Sequence, residues 1–341
     1  MHFRPLFLVL ALATSSTALS ARGGVEILQP ANNDQRLILV SEQGGAAVEQ
    51  PGGRRKQIRL RAQEHLTDFA ETRSGWAAAG TRTVKGTQNI IVLEQGAAGL
   101  QRLPAPETQT EPLRLQPRLM VARNEVGGLA WLEGRHPGSL SVRAASWTGT
   151  DWQPVEIVSP PLQGSQSGLS GTVLADGSWL LVWAAFDGHD DEIFWSLKKN
   201  STWTPPRRLA SNNAWPDITP KVIATRTGAL VAWSRNDGND YRLTIARFDG
   251  SRWQAPQTVG GKGSVDPQLT ILGRQTYLLF NSVSTASWSI LQLQETGRVL
   301  RHAELAGPGH EKPVLTWTSS HQVGLRSPSS RETTAQWGSN R

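Results

Sequence analysis

Two short acidic runs are the segments of this sequence best equipped for chemistry. They are Asp187-Gly188-His189-Asp190-Asp191-Glu192 and Asp237-Gly238-Asn239-Asp240-Tyr241. Asp187 aligns with Asp237, and Asp190 with Asp240. Three kinds of chemistry suit such runs. Asp-Gly and Asn-Asp are ordinary turn formers whose side chains cap backbone N–H groups. Hard carboxylate and amide oxygens could instead hold Ca²⁺, which takes six to eight oxygens, although the full EF-hand pattern is missing. Paired carboxylates could also act as acid and base on a glycosidic bond, given a defined separation.

Around these runs stand residues that suit a sugar ring. The segment Asn212-Asn213-Ala214-Trp215-Pro216-Asp217 should open on the same face, Arg235 precedes the second run, and Trp288 follows the equivalent point of the next repeat. An aromatic face with a few fixed polar groups is the usual makeup of a small-ligand cleft. The expected ligand-binding set is Asp187, Asp190, Asp191, Glu192, Trp215, Asp217, Arg235, Asp237, Asp240 and Tyr241. No residue is assigned a catalytic role and no resident metal or cofactor is expected, calcium being the one candidate. Gly-rich phosphate loops, His-Glu-x-x-His and Gly-x-Ser-x-Gly are absent, and the histidines are dispersed. With no cysteine, thiol catalysis and cysteine metal sites are excluded.

The elements that must position these residues repeat. Leu129-Ala130-Trp131, Leu181-Val182-Trp183, Val231-Ala232-Trp233 and Leu278-Leu279-Phe280 recur about every fifty residues. After each of the first three comes a second tryptophan followed closely by proline, at Trp152, Trp203 and Trp253. A period of this size with short apolar runs is the mark of a β-propeller. Gly149, Asn200 and Gly250 each stand three residues before the second tryptophan. Glycine and asparagine tolerate the positive φ of a tight hairpin. Pro117, Pro220, Pro267 and Pro313, with Ser170 and roughly His65, mark blade starts.

That gives an all-β, six-bladed propeller, with seven blades as the alternative. The last blade lacks strands beyond Val314–Trp317 and Val323–Arg326. N-terminal strands at Val25–Leu28, Arg36–Val40 and Gln57–Arg61 are expected to complete it and close the ring.

The hairpins resemble the aspartate box, Ser-x-Asp-x-Gly-x-Thr-Trp, of sialidase-like (BNR-repeat) propellers. Gly149 and Gly250 match its glycine, and Trp152, Trp203 and Trp253 its tryptophan; its aspartate falls on Trp147, Lys198 and Phe248. The resemblance implies the architecture over roughly residues 66–326. The family's arginine triad and tyrosine nucleophile find no match. Tyr277 reads as core, and Tyr241 alone could face the functional side.

Residues 1–20 read as a signal peptide, with an apolar run from Leu6 to Ala13 and cleavage after Ser20. That run is too short to anchor in a bilayer, which takes ~20 residues. Residues 21–326 are expected to be one propeller domain and 327–341 a disordered tail. Removing the leader takes one base, Arg4, so a net charge of +7 becomes +6. The excess favours polyanions, but the bases are scattered and no nucleic-acid motif appears. The sequence therefore describes a periplasmic or secreted monomer that binds a cell-envelope glycan or envelope protein. A glycoside hydrolase and an envelope assembly scaffold are the alternatives.

Overall fold

The computed structural model describes residues 26–31, 38–42, 45–50, 54–107, 111–211, 213–305, 312–317, 323–326, 333–334 and 337. The proposed leader (1–20), Asn212 and most of the expected tail lie outside them. The described chain is all-β, and its antiparallel sheets follow one another in sequence order.

Blade 1 is β1 (Glu26–Leu28), β2 (Ile38–Glu42), β3 (Gly45–Glu49) and β4 (Arg55–Ile58). Blade 2 is β5 (Glu64–Thr72), β6 (Gly75–Val84), β7 (Thr87–Gly96) and β8 (Gly99–Leu103). Blade 3 is β9 (Leu113–Ala122), β10 (Glu125–Gly134), β11 (Ser141–Ser146) and β12 (Glu156–Ser159). Blade 4 is β13 (Gln166–Val173), β14 (Trp179–Phe186), β15 (Asp191–Lys199), β16 (Thr202–Trp203) and β17 (Arg207–Arg208). Blade 5 is β18 (Asp217–Thr225), β19 (Gly228–Asn236), β20 (Tyr241–Phe248) and β21 (Gln257–Thr258). Blade 6 is β22 (Ser264–Leu272), β23 (Gln275–Ser282), β24 (Ser287–Leu293) and β25 (Val299–Leu305). A short sheet of β26 (Val314–Trp317), β27 (Val323–Arg326) and β28 (Thr333–Thr334) follows.

Six sheets of four or five strands thus make six full blades, and the expected six and alternative seven differ by this one short sheet. First strands of successive blades contact one another, which places them innermost, around the axis. Second strands such as β14 and β19 are apolar along most of their length because a neighbouring blade covers each face. The core therefore lies between blades: Leu180, Val182, Trp195, Val231, Trp233 and Phe248, from blades 4 and 5, form one cluster.

Closure differs from expectation. The N-terminal strands do not add to the last sheet; β1 to β4 pair with one another, using a strand at Gly45–Glu49 that the sequence pattern did not reveal. The join to β26 is made by a side chain. Gln29 Nε2 donates to the Leu315 carbonyl at 2.6 Å, and its Oε1 accepts from the Leu315 N–H at 3.1 Å. One amide thereby does the work of a strand neighbour, while Ile27, Ile38, Val40 and Val314 pack beside it. The tail expected to be disordered contributes β28, which pairs with β27, and Trp337, whose ring lies 6.2 Å from that of Tyr277.

The tryptophan hairpins superpose in register. Trp147 bridges Trp152, Lys198 pairs with Trp203, and Phe248 bridges Trp253, with positive φ at Gly149, Asn200 and Gly250. The prolines that follow leave the outer strands as two to four residues, consistent with edges that cannot complete a ladder. At the place of the box aspartate, Lys198 Nζ contacts Glu156 Oε2 at 2.5 Å and lies 5.1 Å from the Trp179 ring.

The prolines at 117, 220 and 267 lie inside innermost strands rather than at their starts. Each sits at a register shift and follows a residue with positive φ: Gln116 (51°), Thr219 (56°) and Asp266 (53°). A bulge of this kind tolerates the missing proline N–H and re-aims the next side chain.

Candidate functional site

The loop between β14 and β15, the connection from blade 4 into β18, and the loop between β19 and β20 meet on one face. Asp217 pairs with Arg235 and Asn236 with Tyr241 in the ladder, and the Asn236 N–H reaches the Pro216 carbonyl at 3.1 Å.

Asp187 and Asp237 are turn caps. Asp187 Oδ1 accepts from the N–H groups of His189 (2.9 Å) and Asp190 (3.3 Å). Asp237 Oδ1 accepts from Asn239 (3.1 Å) and Asp240 (3.0 Å). The second oxygens hold Arg208 at 2.5 Å and Arg242 at 2.7 Å. The Arg242 bond and these backbone N–H groups pull Asp237 down to about 2. Both carboxylates are thus committed to their own loops. Among the described residues no group of three or more histidine or acidic side chains is arranged to hold a metal ion, so the arrangement lends the calcium reading no support. Asp187→Ala should cost about 1 kcal/mol in urea unfolding and leave ligand binding intact. Lost binding with unchanged stability would reverse that assignment.

The other acids are set differently. Asp190, Glu192 and Asp217 are buried, and neither carboxylate oxygen of Asp190 or Asp217 has a hydrogen bond of good geometry among the described residues. Glu192 Oε1 accepts from the Asn213 N–H at 3.1 Å. Burial pushes Glu192 up to about 7, the Asn213 N–H holds it back, and Asp190 adds to the rise. Burial likewise raises Asp217 to about 7 against the pull of Arg235, whose Nε stands 3.5 Å away; the Trp233 indole also lowers it. Asp191 rises to about 6, through burial and then its neighbours Asp190 and Asp187. Burial raises Asp190 as well, Asp187 adding to it. Tyr241 is raised by burial and by Asp191. Asp240, the counterpart of Asp190, is only half-buried.

Trp215 is 48% exposed. Its indole lies against the backbone of Gly238, where a Cβ would fall 2.8 Å from Trp215 Cε2. Gly238 is held at φ 93°, so both conformation and contact demand glycine. Trp288, by contrast, is 2% exposed and packs in the blade 6 core, as does Tyr277.

The structure therefore gathers Asp190, Asp191, Glu192, Asp217, Arg235 and Tyr241 where these segments meet, on the connection that also carries Trp215, and leaves Asp187, Asp237 and Asp240 in the turns that frame them. Sequence reasoning missed a matching arrangement two blades earlier. Arg114 pairs with Glu133 in the ladder position that Asp217 and Arg235 occupy, with the charges exchanged. Glu133 Oε2 accepts from the Trp131 indole at 2.8 Å. Its signal was present: Glu133 and Arg235 each stand two residues after the repeat tryptophan.

No protein-family model matches the chain, and no curated protein matches it. Solved structures do. A protein of unknown function from Dyadobacter fermentans aligns with TM-score 0.54 at 12% identity, over 82% of this chain and 96% of that one. A six-bladed propeller lectin from Aleuria aurantia, described with a fucose recognition mode, aligns with TM-score 0.51 at 10% identity, over 84% and 98%. TolB from Acinetobacter baumannii aligns with TM-score 0.50 at 11% identity, over 87% and 68%. At these identities the likeness is one of fold: this chain is a β-propeller.

Proposed function

We propose that this protein is an exported, non-catalytic propeller of sialidase-like build that binds a cell-envelope glycan or envelope protein on the face carrying Trp215. The observation that carries this reading is the exposed indole of Trp215, fixed on Gly238 and two residues before the buried Asp217. Tryptophan pairs an apolar face with a polar N–H and is enriched where ligands and partners dock, and ligand clefts set such faces beside a few fixed polar groups. A sugar would stack on the indole and offer hydroxyls to the carboxyl groups around Arg235. Among the described residues no helix is long and apolar enough to cross a membrane.

A second reading, glycoside hydrolysis, draws on Glu192 and Asp217. Carboxyl groups near pH 7 have the proton affinity of a general acid.

The test is calorimetric titration of the protein from Ala21 with envelope oligosaccharides. Trp215→Ala should weaken binding by about tenfold or more, since stacked aromatics contribute on the order of 1–3 kcal/mol, while the melting temperature stays put. Equal binding by the variant would remove the site from this face. Release of reducing sugar, lost in Glu192→Gln, would convert the reading to the hydrolase.

A further inference from the structure

A second cluster of charge lies on the axis of the ring. Asp68, Arg118, Ser170, Lys221 and Gln268 share one register position on the innermost strands of five successive blades, each just past a register shift. Asp266, two residues before Gln268 on β22, and Lys312, just before β26, join them. Two ion pairs form: Arg118 with Asp68 at 3.5 Å and Lys312 with Asp266 at 3.2 Å. Arg118 is anchored further by donating to the carbonyls of Leu169 (2.9 Å) and Thr67 (3.0 Å). Asp68 Oδ2 also accepts from the Leu119 N–H at 2.7 Å.

Lys221 is left over. Among the described residues its ammonium has no hydrogen-bond or ion-pair partner. The charges acting on it are Arg118, Lys312, Asp266 and Asp68; β13, also packed against β18, presents Ser170 and no charge at this level. Three cations therefore face two acids, and both acids are already taken. The position is deep yet wet: side-chain exposure is 21% for Arg118, 25% for Asp68, 32% for Asp266 and 48% for Lys312. In a propeller the innermost strands surround a central channel, and these groups sit on those strands.

We propose that the axial channel binds a small oxyanion, a carboxylate or phosphate, at Lys221 between Arg118 and Lys312. The anion supplies the missing counter-charge where bulk water is restricted and a charge–charge contact is correspondingly strong. In its absence burial, then Arg118 and Lys312, push Lys221 down to about 7. Binding therefore brings a proton with it: above pH 7 the free amine is mostly neutral, and the bound one is charged.

The experiment is isothermal titration of the protein from Ala21 with acetate, and separately with phosphate, at pH 8 and low ionic strength. Two buffers of different ionisation enthalpy report proton uptake. The expected result is saturable binding of at least one anion, with uptake approaching one proton per anion. Phosphate's own protonation makes acetate the cleaner arm for that count. Lys221→Met should bind at least about tenfold more weakly and lose the uptake. Lys262→Met, an exposed lysine elsewhere, should bind as the parent does. No saturable binding of either anion would overturn the proposal. So would acetate binding without proton uptake, which is measured on the parent and stands even if Lys221→Met fails to fold.

Discussion

Stability should fall as pH rises from about 5 to about 7, then recover above it. Most proteins are most stable somewhere in this range, because their carboxylates are held ionised by partners. Here the deciding groups are shifted the other way. Glu192 and Asp217 are raised to about 7 in the fold, whereas in an unfolded chain they titrate near 4. Between those values the folded state holds protons that the unfolded state has lost, so unfolding releases protons and each increment of pH favours it. The contribution of these groups is complete below about pH 4 and gone once pH passes 7. Glu192 and Asp217 repel each other and titrate as a pair, so the loss is on the order of 3–5 kcal/mol at 1.36 kcal/mol per unit rather than the full sum. Asp190 and Asp191 act in the same direction. Asp237 and Asp249 oppose them only at the acid end, since arginine and backbone N–H groups hold both low. Lys221 sets the other limb: lowered to about 7 from its usual value near 10.5, it adds stability between those values as pH rises. Urea midpoints from pH 4.5 to 9 at constant ionic strength would trace the trough. Glu192→Gln with Asp217→Asn should remove most of the falling limb, leaving the part due to Asp190 and Asp191, and raise stability at pH 8 by about 2 kcal/mol. A flat or rising curve between pH 5 and 7 would show that burial does not raise these acids above their unfolded values.

The trough also bears on function. Buried acids of this kind lower stability at neutral pH, and under the proposed function a ligand that gave them hydrogen bonds would recover part of that energy. The double variant should therefore be more stable and bind less well, a pairing that a purely structural cluster would not produce.

Much of the scaffold was legible because a propeller writes its period into the chain. Trp131, Trp183 and Trp233 recur on β10, β14 and β19, and the turns at Gly149, Asn200 and Gly250 demand residues that allow positive φ. Closure was not legible. Gln29 does its work with a side-chain amide, which no pattern of apolar residues announces. In the site, the acidic runs drew notice by charge alone, and charge does not separate Asp187, a turn cap, from Glu192, a buried acid; only the ladder pairing does. The axial charges were hidden behind the prolines used as blade markers. Arg118 and Lys221 each follow one directly, and a bulge at that point turns them inward.

Trp233→Ala should cost about 3–5 kcal/mol, the range for removing a fully buried tryptophan, or about 4–7 °C in melting temperature for a chain of this size. The residue is 0% exposed and stands in the cluster that joins blades 4 and 5, so the cavity opens between blades where both sheets would have to move to fill it. Its second role separates it from Trp131. The Trp131 indole donates to Glu133 within its own strand. The Trp233 indole finds no hydrogen bond of good geometry, yet it lowers Asp217 from across the blade. Trp233→Phe keeps most of the packing and loses the N–H, so it should recover about half of the stability while moving the falling limb of the pH curve to higher pH. The same limb in Trp233→Phe and the parent would sever the core from the site. A shifted limb would show that the repeat tryptophan, conspicuous first as a marker of the fold, also tunes the buried acid Asp217.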